Sequence, residues 1–195
     1  LGRAAARAIS RGIVAPDVDA FPLIEDLVAL SQVTVVHSEY ARQLVLDRVP
    51  AATVVRVPMG IPLPRLVPQD EARSILSLPP SAFIVGSVTH VNPNKRLHVV
   101  LRAIRRARER IPDIVLVVAG SISRAVDLQQ LACSYGVAEN VRLLGYVSDA
   151  EARLVARASD VCVNLRYPST GETSASLLRL LGAGKPVAVV AFGSP

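Results

Sequence analysis

Two short stretches combine residue types that could hold an anion and a sugar together. In "THVNPNKR" (Thr89–Arg96), Asn92, Asn94 and Lys95 crowd a turn around Pro93, after an apolar run and before a helical one. Lys95 stands at the expected helix start, where the positive end of the helix dipole disfavours a cation. A ligand anion would compensate that position; a solvent-exposed turn lysine is the alternative of equal weight. In "YPSTGETS" (Tyr167–Ser174), Thr173 or Ser174 can cap the helix that follows. The small residues ahead of the cap, Ser169, Thr170 and Gly171, would let a diphosphate approach the unpaired N–H groups of a helix start. Glu172 repels phosphate, so its place there suits hydrogen bonds to the hydroxyls of a sugar carried on that phosphate. On chemistry alone, cap and ligand site weigh the same. His90 lies in the first loop and stays a candidate.

Other tempting motifs fail on context. "GAG" (Gly182–Gly184) closes a helix where a dinucleotide fingerprint opens one, and its third glycine is missing. "GK" (Gly184–Lys185) runs into Pro186 with no upstream glycine at phosphate-loop spacing. "DVD" (Asp17–Asp19) has no supporting cluster of ligands. The three histidines form no metal set, so no metal site is expected. His37, after a strand expected to be buried, and His98, on a helix, are read as structural.

The elements that must position the two loops follow from hydrophobic periodicity. Val33–Val36 and Val54–Val57 read as strands flanking a helix from Ser38 to about Leu46. Six of the fourteen prolines fall between Pro58 and Pro80, which marks a linker. Beyond it, strands at Phe83–Val88, Ile114–Ala119, Val141–Leu144, Val161–Leu165 and Val187–Ala191 alternate with helices. The helices are read at Arg96–Arg110, Ala125–Tyr135, Asp149–Ala158 (capped by Ser148 or Asp149) and Ser174–Leu181. This rhythm predicts an α/β fold with a doubly wound, Rossmann-like parallel sheet, which binds ligands outside the carboxyl ends of its strands. Both candidate loops, and Gly120–Arg124 and Gly145–Asp149, fall at that edge.

Composition agrees: 195 residues, 51% hydrophobic and poor in aromatics, suit buried parallel strands under helices. No apolar run is long enough to span a bilayer and no signal-peptide pattern opens the chain, so a cytoplasmic location is expected, with the inner face of the membrane as a variant. Cys133 and Cys162 read as buried free thiols. Much of the net charge of +6 comes from Arg102, Arg105, Arg106, Arg108 and Arg110. A solvated helix face is the preferred reading; attraction to anionic lipid or substrate is the alternative. No aromatic residues interleave with these arginines, which argues against nucleic acid. A first residue Leu1 and an end at Pro195 after an apolar run are read as a piece of a longer chain.

"FIVGSVTHVNPNKRLHVVLRAI", "VLVVAG", "VRLLGYVSDAEARLVARASDVCVNL" and "YPSTGETSASLLRLLGAGKPVAVV" together resemble the C-terminal domain of retaining GT-B glycosyltransferases, the group called family four or group one. "VTVVHSEYARQLV" and "VVRVPMGIP" resemble the end of the N-terminal domain and the crossing between domains. The resemblance implies residues 1–60 as the remnant of an acceptor-side domain, 61–80 as a Pro-rich linker and 81–195 as a truncated donor domain. It implies transfer of a sugar from a nucleoside-diphosphate sugar to an acceptor hydroxyl, with retention, no metal and no cofactor beyond the donor. The acceptor would be a sugar, a lipid-linked molecule or a small molecule.

Residue by residue, Lys95 matches the lysine that contacts the diphosphate. His90 stands where an arginine is usual and Thr89 where a glycine is. Asn92, Asn94 and Thr170 fall in the donor loops, the backbone at Tyr146 and Val147 would lie by the nucleobase, and the amides of Thr173, Ser174 and Ala175 would meet phosphate or sugar. The family's paired glutamates fall on Gly171 and Arg179; Glu172, one place late, substitutes for the first, and the second, which holds the ribose, has no match. Lys95 and Glu172 are therefore the expected catalytic residues. A non-catalytic nucleotide-binding or assembly module, or a GT-B sugar-nucleotide epimerase, is the alternative.

Overall fold

A computed structural model describes residues 23–62, 67–167 and 173–191. They fall into two compact units that meet in sequence at Met59 and Gly60. The first holds α1 (Leu23–Leu30), β1 (Thr34–Val36), α2 (Glu39–Arg48) and β2 (Val54–Arg56), with β1 and β2 paired in parallel. Ser38 caps α2, its hydroxyl accepting from Ala41 N at 3.1 Å. β1 was expected to be buried, but Val35 is 58% exposed. His37 beyond it is exposed too, its Nδ1 2.8 Å from the Val57 carbonyl.

The second unit is built on one parallel sheet. Its elements are α3 (Gln69–Ile75), β3 (Ile84–Val88), a 3-10 turn (Pro93–Lys95), α4 (Leu97–Ala107), β4 (Val115–Ala119), α5 (Leu128–Ser134), β5 (Val141–Gly145), α6 (Asp149–Ala158), β6 (Val161–Asn164), α7 (Ala175–Gly182) and β7 (Val187–Val189). The strand order is β5-β4-β3-β6-β7, all parallel. Chain direction across the sheet therefore reverses between β3 and β6, and that is where an open α/β sheet leaves a crevice at its carboxyl edge. The Rossmann-like sheet expected from the alternation of strands and helices is the one observed.

Helices cover both faces. Leu97, Val100, Leu101 and Ile104 recur at i, i+3, i+4 and i+7, so α4 lays one apolar stripe on the sheet; it clusters with Leu116 and Val118 of β4 and Leu128 of α5. Full burial of a side chain such as Leu101 contributes about 1.5–3 kcal/mol. On the opposite face Ala72 of α3 and Val155 and Ala158 of α6 pack on Ile84, Val117 and Ala119. The expected linker 61–80 thus contains a packed helix. α6 starts with a capping box: the Ser148 hydroxyl accepts from Glu151 N, and the Glu151 carboxylate accepts from Ser148 N at 2.7 Å. That backbone bond holds the Glu151 carboxyl below its ordinary range.

Several boundaries are corrected. α5 begins at Leu128 under an Asp127 cap instead of at Ala125. α4 begins at Leu97, because Pro93–Lys95 form a separate 3-10 turn and Arg96 adopts a left-handed conformation, φ 53°. Lys95 therefore ends a turn and does not open the helix. Cys133 is exposed, contrary to the expectation: it follows buried Ala132 on α5 and so points off the packed face, while Cys162 is buried in β6. Burial pushes the Cys162 thiol up to about 11. Both cysteines are free.

At the amino ends of the strands the polar groups are knitted together. Arg73, 8% exposed, donates to the Ala158 carbonyl at 3.0 Å and to Asp160 Oδ2 at 2.8 Å. Asp160 also accepts from Ile84 N at 2.7 Å and from Gln69 Nε2 at 3.0 Å. Lys185 Nζ donates to the Ser159 carbonyl at 2.7 Å; burial, and then the charge of Arg157, lower its affinity for a proton.

Candidate functional site at the carboxyl edge

The loop after β3 is held by backbone bonds from β4's extension. Thr89 N donates to the Ala119 carbonyl at 2.9 Å, Val91 N to Ser121 O at 2.8 Å and Ser123 N to Val91 O at 2.8 Å. Val91, fully buried, pins the loop into the core. Gly120 sits at φ +139°, and a Cβ there would collide with the Thr89 carbonyl, so only glycine lets the two loops run this close. His90 Nδ1 lies 2.7 Å from Ser121 Oγ, which ties the histidine to the β4 loop.

The turn Asn92–Lys95 then faces the loop after β6. Tyr167 N donates to the Asn94 carbonyl at 2.8 Å, and the Arg96 guanidinium lies over the Tyr167 ring, 5.4 Å from its centre. The side-chain oxygens of Asn92 and Asn94 are buried with no hydrogen-bond partner. Buried acceptors are ordinarily satisfied, and leaving one unmatched costs about 1–3 kcal/mol.

Between the loops a narrow cleft is lined by Ser87, Thr89, Lys95, Leu97 and Asn164. It opens at the switch between β3 and β6, on the strands' carboxyl ends. Asn164 Nδ2 reaches Ser174 Oγ at 3.4 Å, and that hydroxyl caps α7 by accepting from Leu177 N at 3.2 Å. Of the two expected cap candidates, Ser174 is the one that caps. Ala175 opens α7, and the first amides of a helix have no partner within it. The cleft thus joins a lysine ammonium, a hydroxyl, a carboxamide and a helix start: donors suited to phosphate oxygens.

Thr89, Lys95, Asn92, Asn94, Ser174 and Ala175 come from two loops tied to each other. Tyr146 and Val147 lie at the same edge after β5, the outermost strand; the Tyr146 ring is 85% exposed and Val147 packs on the core under α6. Thr173 precedes the Ser174 cap. Thr170, Gly171 and Glu172 lie outside the described residues. Sequence reasoning missed Ser87 and Asn164 as lining residues. A polar residue ending the apolar strand "VCVN" was the available signal for Asn164. Among the described residues no three His, Cys, Asp or Glu side chains converge as a metal site would require.

A Rossmann-like parallel sheet of order β5-β4-β3-β6-β7 with a polar cleft at its switch point defines the class, an α/β domain of the GT-B type. The chain belongs to the family described as glycosyl transferases group 1, whose sequence model matches residues 68–195. It is 34% identical over 154 residues to D-inositol 3-phosphate glycosyltransferase of Actinosynnema mirum, covering 73% of this chain and 36% of that protein. It is 30% identical over 183 residues to the enzyme of the same name from Stackebrandtia nassauensis, covering 87% of this chain and 41% of that protein. The chain thus spans well under half the length of these curated relatives. In fold it is similar to sucrose-phosphate synthase from Thermosynechococcus elongatus (TM-score 0.74, 20% identity, 95% of this chain and 48% of that one). It is also similar to Anabaena Alr3699/HepE, solved with UDP and glucose (TM-score 0.71, 18% identity, 91% of this chain and 51% of that one).

Proposed function

We propose that this chain is the donor-binding part of a glycosyltransferase that moves a sugar from a nucleoside diphosphate to an acceptor hydroxyl with retention at the anomeric carbon. The observation that carries the reading is the cleft of Thr89, Lys95 and Asn164 at the switch point, beside the Ser174-capped start of α7, in a chain of the group 1 family. As the bond from the anomeric carbon to the phosphate oxygen breaks, negative charge gathers on the diphosphate. The Lys95 ammonium and the α7 amides would stabilise that charge as it develops. The acceptor oxygen would bond to the anomeric carbon from the same face, its proton passing to the departing phosphate. Glu172 would hold the sugar's hydroxyls. On this reading no metal and no further cofactor is needed.

The relatives are named for D-inositol 3-phosphate, so a small phosphorylated polyol is the first acceptor to try, ahead of sugar and lipid-linked acceptors. Because the chain spans only part of those relatives, turnover is assigned to the full-length protein and this piece alone would not turn over. The exposed arginines of α4 (Arg102, Arg105, Arg106) would allow peripheral attachment to an anionic membrane from the cytoplasmic side. Among the described residues no helix is long and apolar enough to cross a membrane.

The test is a panel of nucleotide sugars on the full-length protein, with and without acceptors and with a chelator. Acceptor-dependent release of nucleoside diphosphate that survives chelation is expected. Release without acceptor would point to hydrolysis or epimerisation, and loss on chelation restored by magnesium would contradict the metal-free reading.

A further inference from the structure

Arg96 joins the Pro93–Lys95 turn to α4 in a left-handed conformation, φ 53° and ψ 36°. Among the described residues it shares a positive φ with one other non-glycine, Ser77. Glycine adopts that conformation freely, a long side chain only at a cost. Arg96 is also the N-cap of α4, where serine, threonine, aspartate or asparagine would accept from a helix amide. Arginine has no oxygen to offer, and its side chain makes no cap bond. Local structure thus disfavours arginine here on two counts, and what the residue contributes lies across the cleft.

The Arg96 guanidinium lies over the Tyr167 ring, 5.4 Å from its centre, and Tyr167 N donates to the Asn94 carbonyl at 2.8 Å. The residues on either side of Lys95 therefore hold the same tyrosine, one by its backbone and the other by its ring. Tyr167 lies two residues beyond Leu165, which with Val163 and Asn164 forms one wall of the cleft; Lys95 and Leu97 belong to the other. The two holds on Tyr167 tie wall to wall just outside the cleft. A single backbone bond would let the turn pivot about Asn94, and a second point of attachment removes that freedom. Attraction between a cation and a ring face is short-ranged, so it holds the turn at one separation.

We propose that Arg96 is a positioning residue for Lys95: by clasping Tyr167 it fixes the turn that carries the lysine against the β6 wall, and it acts on the donor's diphosphate only through Lys95. This rests on the nucleotide-sugar reading above.

The test is titration calorimetry on the full-length protein with uridine, guanosine and adenosine diphosphates, the tightest binder being carried forward. Arg96→Gly suits the left-handed backbone and removes the guanidinium, so affinity should fall about fivefold. Tyr167→Leu should lose about as much, and Tyr167→Phe, which keeps a ring, should recover most of that loss. The double variant Arg96→Gly/Tyr167→Leu should lose no more than either single variant, because each removes the same contact. In a Lys95→Ala background Arg96→Gly should change nothing further. A further loss there would mean that Arg96 meets the phosphates itself and overturns the positioning role. Unchanged affinity in Arg96→Gly, or additive losses in the double variant, also overturns it while leaving the donor reading standing. Melting temperatures are read on the same samples. Should Arg96→Gly melt below the titration temperature, Tyr167→Leu against Tyr167→Phe decides, and equal affinities of those two overturn the clasp. If none of the three diphosphates binds the wild type, the donor reading fails and the assignment falls with it.

Discussion

The amino and carboxyl ends of the same five strands treat polar side chains in opposite ways. At the amino ends, Arg73, Asp160, Gln69 and Lys185 spend their hydrogen bonds on one another and on backbone groups. At the carboxyl ends, the Asn92 and Asn94 oxygens are buried without partners, and Lys95 and Asn164 line a cleft. Both sets hold buried polar groups next to the same sheet, so the contrast does not come from burial alone. A polar group matched inside the protein stabilises the fold; one left unmatched is open to a partner from outside it. On the proposed function the two edges divide stability from binding, and substitutions should separate them.

The largest effect is expected at the amino edge. Asp160→Ala removes the acceptor of Arg73, Ile84 N and Gln69 together and leaves a guanidinium that is only 8% exposed without its counter-charge. Stability should fall by about 3 kcal/mol, read as a lower denaturant midpoint with an unchanged slope. Nucleoside diphosphate affinity below the transition should be unaltered; a matching loss of affinity would mean that the edges are not separate.

Gly120→Ala strikes the carboxyl edge through the backbone. The added Cβ meets the Thr89 carbonyl at a φ that L-residues rarely adopt, so about 2 kcal/mol of stability should go, and here ligand affinity should go with it. Retained affinity would show that the spacing of the β3 and β4 loops does not shape the cleft.

Glu172→Gln sharpens the comparison within the binding edge. Affinity for the nucleotide sugar should drop about tenfold, while affinity for the bare nucleoside diphosphate stays within about twofold, because the carboxylate is assigned to sugar hydroxyls and not to phosphate. A tighter hold on both ligands would instead mean that Glu172 only repels phosphate.

Much of the carboxyl edge was legible in the sequence because strand–helix alternation fixes which loops share an edge. "FIVGSV" and "VCVNL", both read as strands, prove to be parallel neighbours, and the loops after them carry Lys95 and Ser174. What escaped notice depended on side-chain geometry with no local signal. Asn164 looked like the end of a strand until its carboxamide was seen reaching Ser174. Arg96 in a left-handed conformation has no marker in "NPNKR", so the helix was started one residue early and Lys95 was placed in an unfavourable dipole that it does not meet. Asp160 was unremarkable in "ASDVCV", since its partners Gln69 and Arg73 lie about ninety residues away in a stretch read as a linker. Cys133 was misread because apolar neighbours in sequence do not define a helix face.

The central claim is that the donor's diphosphate rests at the carboxyl edge against Lys95 and the start of α7. Titration calorimetry of Lys95→Ala against a nucleoside diphosphate and the corresponding nucleoside tests it most directly. Lys95 meets phosphate as a point charge, so diphosphate affinity should fall about tenfold or more, nucleoside affinity should not change, and the melting temperature should stay near the wild-type value. An equal loss for both ligands, or no loss for either, would contradict the placement of the diphosphate in this cleft.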